Sequence, residues 1–139
     1  MISFNYENDF GLEDEPLMRL WISQVIEQEG YTLNEINYVF CSDDYLHELN
    51  LKYLDHDTLT DIISFDYTVG KNIQGDIYIS TDRVRENATV FEASFKDELC
   101  RVMVHGVLHY CGYKDKSAKE SEVMRNKENL YLERLKEIQ

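Results

Sequence analysis

The apolar residues of this chain change period along its length, and that pattern limits the fold more than any other feature. Ile2, Phe4 and Tyr6 alternate with polar neighbours, as do Ile36, Tyr38 and Phe40. Such alternation marks half-buried strands, because successive side chains of a strand point to opposite faces. Asp61–Tyr67 and Gly75–Ser80 read as a third and a fourth strand, joined by a Gly-containing linker that suits a hairpin-like return. Between and after these runs the spacing becomes helical. Asp14-Glu15-Pro16 puts acids and a proline in a first turn, Leu17, Leu20, Trp21 and Val25 follow at helical intervals, and Gly30 supplies a stop. Ser42-Asp43-Asp44 can cap a helix carrying Tyr45, Leu46 and Leu49. From Thr81 onward the pattern stays helical. Ser94-x-x-Asp97 opens a helix through Leu99, Met103 and Val107 to a stop near Gly112. Ser117-x-x-Glu120 is a capping box before Val123, Met124, Leu130, Tyr131 and Leu135. Four strands with helices in series after the last make an α+β fold: a small four-stranded sheet packed with about five helices.

Residues 1–139 read as one domain, since no repeat or Pro/Gly/Ser-rich linker divides them. No stretch approaches the roughly 20 apolar residues of a membrane span. The N-terminal MISFNYENDF lacks the basic start and apolar core of a signal peptide. Three cysteines at irregular positions fit a reduced, cytoplasmic chain, with Cys41, Cys100 and Cys111 as core candidates. The formal charge of −13 argues against a nucleic-acid partner when taken as a total. Its distribution argues differently. Residues 1–99 hold 21 acids and 6 bases, whereas residues 100–139 hold 6 acids and 8 bases. An anion-handling site belongs in the last forty residues.

That segment carries the chemistry. His105 and His109 stand four apart on the expected helix, so both rings project from one face and can grip one ion. Gly112 offers a left-handed exit that could return the chain towards them, bringing Asp115 within reach as a third ligand. Two imidazoles and a carboxylate suit Zn²⁺ or a similar divalent ion, with a position left for water. A lone His-x-x-x-His on a helix is more often accidental. Gly106 stands where the protease motif His-Glu-x-x-His has its general base, which speaks against a peptidase. A glycine in mid-helix costs about 1 kcal/mol against alanine, and so suggests close approach by another group.

The run His105-Gly106-Val107-Leu108-His109-Tyr110-Cys111-Gly112-Tyr113 resembles the His-Gly-x-x-His-x-x-Gly-Tyr-Asp-His signature of the YbeY family of ribosomal-RNA maturation endoribonucleases. Leu49-Asn50 with Tyr53, then Thr60-Asp61-Ile62-Ile63-Ser64-Phe65, is similar to a second family block, and Gly75-Asp76-Ile77 to a third. The blocks occur in family order over residues 49–115. The resemblance implies one metal, generally zinc, held at the end of a helix. It implies cleavage of single-stranded RNA in maturing the 3′ end of small-subunit ribosomal RNA, and a part in ribosome quality control. The partners implied are ribosomal RNA, the small ribosomal subunit and assembly factors, with no membrane and no DNA. Two positions depart from the pattern. The third family histidine falls at Asp115, giving a His105, His109, Asp115 ligand set, and the family arginine after Tyr53 falls at Leu54. Lys114 is then a candidate phosphate contact, and no residue stands out as general base. The basic run Lys114, Lys116, Lys119, Arg125 and Lys127 is either a solvated helix surface or part of a phosphate site. Ser64 and Phe65 are candidate cleft lining, and His56 reads as a loop residue. Two other functions fit the same ligands: a non-catalytic ribosome-assembly factor with a structural metal, and a metal-dependent hydrolase of a small molecule.

Overall fold

The computed structural model describes residues 1–56 and 58–139. Along the described chain run β1 (Ile2–Tyr6), α1 (Glu15–Gln28), β2 (Thr32–Cys41), α2 (Asp43–Leu54), β3 (Ile62–Asp66), β4 (Asn72–Ser80), α3 (Thr81–Val90), α4 (Phe95–Tyr110) and α5 (Ala118–Ile138). The architecture is the expected α+β: one four-stranded sheet, in the order β1-β2-β4-β3, with five helices among the described residues. The hairpin-like return joins β3 and β4, which pair antiparallel with Ile63 opposite Tyr78. The rest of the sheet is parallel, β2 lying between β1 and β4. Parallel neighbours need a crossover, which α1 supplies between β1 and β2.

The helix ends follow local chemistry. The Asp14 carboxylate accepts from Leu17 N at 3.3 Å, and Gly30 takes a φ of 82° just beyond the end of α1. Ser117 and Glu120 cap α5 reciprocally, Ser117 N donating to Glu120 Oε1 at 3.0 Å and Glu120 N to Ser117 Oγ at 3.1 Å. The buried faces are narrower than the spacing suggests. α1 buries Met18, Trp21, Ile22, Val25 and Ile26, and leaves Leu20 50% exposed. α5 buries Met124, Glu128, Tyr131 and Leu135, while Val123 and Leu130 face outward. Apolar type alone does not set which residue meets the core; the crossing angle of the helix does. No helix among the described residues is long and apolar enough to cross a membrane.

α4 lies at the centre of the main core, with Val104, Val107 and Leu108 fully buried. Its contact with the sheet requires two glycines. A Cβ on Gly106 would stand 3.0 Å from Ile62 Cδ1 and 3.1 Å from Ile77 Cδ1, so the bare backbone lets α4 lie directly on β3 and β4. That is the close approach expected of a mid-helix glycine. At the end of α4, the Tyr110 hydroxyl lies 3.0 Å from Phe65 O and 3.1 Å from Asp76 O. It occupies the space above Gly75, where a Cβ would fall 2.5 Å from the phenolic oxygen and 2.7 Å from Phe65 O. Cys41, Cys100 and Cys111 are free and buried, as expected of core thiols. His56 is exposed; Asp57 beside it lies outside the described residues. We expect Gly75→Ala to destabilise the chain by about 1–3 kcal/mol through this overpacking. A urea titration followed by circular dichroism measures it, and an unchanged midpoint would refute the steric account.

Candidate metal centre

The centre is built where α4 ends. His105 and His109 sit one turn apart, their ring centroids 4.5 Å apart and the rings nearly perpendicular. Beyond Tyr110 the chain makes a Schellman closure. Gly112 N donates to His109 O at 3.0 Å and Tyr113 N to Leu108 O at 3.1 Å, with Gly112 at φ 96°. This turn carries Asp115 back over the last turn of the helix. Its Oδ2 lies 3.2 Å from His105 Nε2 and 3.4 Å from His109 Nε2, and the two Nε2 atoms are 2.9 Å apart. Ser121 Oγ holds the returning segment by donating to Asp115 O at 2.8 Å.

The far side of each ring fixes what the near side offers. His105 Nδ1 donates to Glu128 Oε2 at 2.7 Å, and His109 Nδ1 donates to Tyr113 O at 2.9 Å. With both Nδ1 atoms protonated, the neutral rings direct two Nε2 lone pairs and a carboxylate oxygen at one point. Three acceptors at such separations repel unless a cation lies between them. The edge of a tetrahedron with metal–ligand bonds of about 2.0–2.1 Å is about 3.3 Å, which matches the triangle of 2.9, 3.2 and 3.4 Å. Among the described residues this is the one group of three or more His, Cys, Asp or Glu close enough to share an ion. Cys111 sits apart from it, buried in the core, and burial pushes its thiol up to about 12.

Glu128 holds the arrangement from behind. It is 4% exposed and also receives Arg101 Nη1 at 2.9 Å. Burial would raise its pKa, but hydrogen bonds from His105 and Arg101 keep it below the usual carboxylate range. Burial alone would lower the pKa of His105; the Glu128 carboxylate outweighs it and raises the value above 6.5.

Beside the triad opens a cavity of about 360 Å³, lined by Asp61, Asn87, Arg101, Ser121, Arg125 and Glu128 together with His105 and Asp115. Burial is the largest influence on the Asp61 carboxyl and raises its pKa. Lys114, Ser64, Phe65 and Leu54 are not among the lining residues. Lys114 is exposed, with Glu120 as a neighbouring charge. Phe65 packs edge-on to Tyr53 and Tyr78, and Leu54 ends α2 half in solvent. Of the basic run, Arg125 reaches the cavity, while Lys127 pairs with Glu29 at 3.2 Å. Sequence reasoning missed Glu128, Arg101 and Asp61. A signal for Glu128 existed: it falls on the Met124, Tyr131, Leu135 stripe, where a charge calls for a partner.

The family model described as Endoribonuclease YbeY matches residues 4–136. The chain belongs to the YbeY family. Relatives named Endoribonuclease YbeY include one from Flavobacterium johnsoniae, 58% identical over 129 residues, covering 93% of each chain. Another, from Flavobacterium psychrophilum, is 60% identical over 129 residues, covering 93% of this chain and 92% of the relative. The solution structure of TM1509 from Thermotoga maritima superimposes with a TM-score of 0.69 at 28% identity, covering 97% of this chain and 89% of that one. Within the YbeY match lie all three sequence blocks and the whole His105, His109, Asp115 triangle.

We expect Glu128→Gln to keep the fold and weaken metal binding by about 10–100-fold, because the amide is a weaker acceptor for the His105 proton. Competition against a chromogenic zinc chelator reads this directly. Equal affinity for wild type and variant would remove Glu128 from the account of the site.

Proposed function

We propose that this chain is a metal-dependent endoribonuclease that cleaves single-stranded RNA in the maturation of ribosomal RNA. The observation that carries the reading is the convergence of His105 Nε2, His109 Nε2 and Asp115 Oδ2 on one point, in a chain matched by Endoribonuclease YbeY over residues 4–136. The 3′ end of small-subunit ribosomal RNA is the substrate region we assign. The small subunit and its assembly factors are the partners, in the cytoplasm.

The donor set fits a divalent ion, and two imidazoles with one carboxylate favour zinc among the candidates. Such an ion, when bound, supplies Lewis acidity towards a phosphodiester oxygen and lowers the pKa of water. The residues do the rest. Glu128 and Tyr113 O hold protons at His105 Nδ1 and His109 Nδ1, which keeps both Nε2 atoms available as donors to the ion. Asp115 contributes a negative charge, which offsets part of the ion's field and lets harder cations compete better than at an all-histidine site. The cavity beside His105 has Ser121, Arg125 and Glu128 of α5 as one wall, which is where a bound strand would meet the protein.

The reading requires metal-dependent activity that maps to these ligands. Wild type is expected to cleave single-stranded RNA, to lose that activity on chelation and to regain it with added zinc. His109→Ala is expected to fall by at least roughly a hundredfold, as when a centre loses a ligand. Asp115→Ala should bind zinc more weakly and with one protein ligand fewer by X-ray absorption. Cleavage that survives unchanged in purified His109→Ala would refute the assignment.

A further inference from the structure

We infer that Arg125 is the guanidinium that grips the RNA phosphate beside the metal centre, and that Arg101, although nearer to His105 in sequence, is not. The inference rests on the reading of the centre as an RNA-cleaving site and names how that site holds its substrate.

The cavity has a surplus of negative groups. Asp61, Glu98, Asp115 and Glu128 all line it, against two cationic side chains, Arg101 and Arg125. A phosphodiester cannot enter such a space unless positive charge is left over for it. Arg101 has little to give. Its Nη1 donates to Glu128 Oε1 at 2.9 Å and its Nη2 to Asn129 Oδ1 at 2.8 Å, both acceptors on α5. Those bonds tie α4 to α5 and hold down the charge of Glu128.

Arg125 is placed differently. It makes no hydrogen bond among the described residues, and its one ion pair is a long contact of 3.7 Å to Glu128 Oε1. Its side chain is 55% exposed and yet lines the same cavity as His105 and Asp115. The planar fork therefore keeps its donors for a ligand, and its geometry matches two phosphate oxygens at once. The helix orders the wall. Ser121, Arg125 and Glu128 are spaced i, i+4 and i+7, so they share one face of α5 and stand in a row along the cavity. At one end of that row Ser121 holds Asp115, and at the other Glu128 holds His105. The guanidinium between them lies between the two residues that position the ligands. A phosphate gripped there is brought to the centre rather than to the separate groove farther along α5 that Lys136 lines.

The test uses the zinc-loaded chain and a fluorescein-labelled single-stranded oligoribonucleotide. Stopped-flow anisotropy, read before cleavage, gives the Kd at several salt concentrations, and steady-state kinetics gives KM and kcat. Arg125→Ala is expected to raise Kd and KM about tenfold or more. It should reduce the slope of log K against log salt by about 0.7, the loss of one phosphate contact on a single strand. Zinc content should stay at the wild-type value, which also reports that the variant is folded. Arg125→Lys should restore the salt slope but only part of the affinity, since a point charge replaces a fork. Lys136→Ala removes the same charge from the same helix away from the cavity and should change neither quantity. If Arg125→Ala and Lys136→Ala behave alike, the assignment of Arg125 is wrong, even though the wild type binds and cleaves. If the zinc-loaded wild type neither binds nor cleaves the RNA, the endoribonuclease reading fails and this inference falls with it.

Discussion

A carboxylate buried on the apolar stripe of α5 is the interaction on which the site depends. Glu128 lies among Met124, Tyr131 and Leu135, where an unpaired charge would cost on the order of several kcal/mol. Two groups on α4 offset that cost: His105 Nδ1 at 2.7 Å and Arg101 Nη1 at 2.9 Å. The pairing does three things together. It fixes the crossing of α5 over α4, sets the tautomer of His105, and turns Nε2 towards His109 and Asp115. Fold and chemistry share this one contact, so the residue that allows α5 to dock also directs a ligand.

The second requirement is that α4 lie close to the sheet. Gly106 removes the Cβ that would press on Ile62 and Ile77, and Gly75 leaves room for Tyr110 to reach Phe65 O and Asp76 O. These contacts tie the last turn of α4 to the β3–β4 hairpin, a few residues before the Gly112 turn. The turn that carries Asp115 therefore hangs from a fixed point. Its position is set by packed backbone, and the flexible side chains of the loop have little freedom to alter it.

Charge follows the same division. Residues 1–99 hold 21 of the acids, and two of them, Asp61 and Glu98, line the cavity, whereas the mildly basic last forty residues bring Arg101 and Arg125 to it. An acidic body whose mouth also holds more carboxylates than arginines binds a polyanion weakly and with strong salt dependence. An ion at the triad adds the positive charge that the protein largely spends on its own carboxylates.

Much of this was legible in the residues in order. Alternation located the first two strands, apolar runs joined by a Gly-containing linker the other two, capping residues located most of the helix starts, and the spacing of His105, His109 and Asp115 with Gly112 between them named the triad that the fold brings together. Those signals are local: each depends on residues within about three turns of one another. The parallel pairing of β2 with β1 and β4 was not legible, because register between distant strands leaves no mark in either one. Nor were the partners of His105 and the lining of the cavity. Glu128 stands 23 residues from His105, and Asp61 reaches the cavity from the residue just before β3. The sequence by itself determined which side chains could hold an ion. Only the tertiary structure decided which carboxylate orients them and which arginine at the cavity is left without a hydrogen-bonded partner among the described residues, because both depend on how α5 crosses α4.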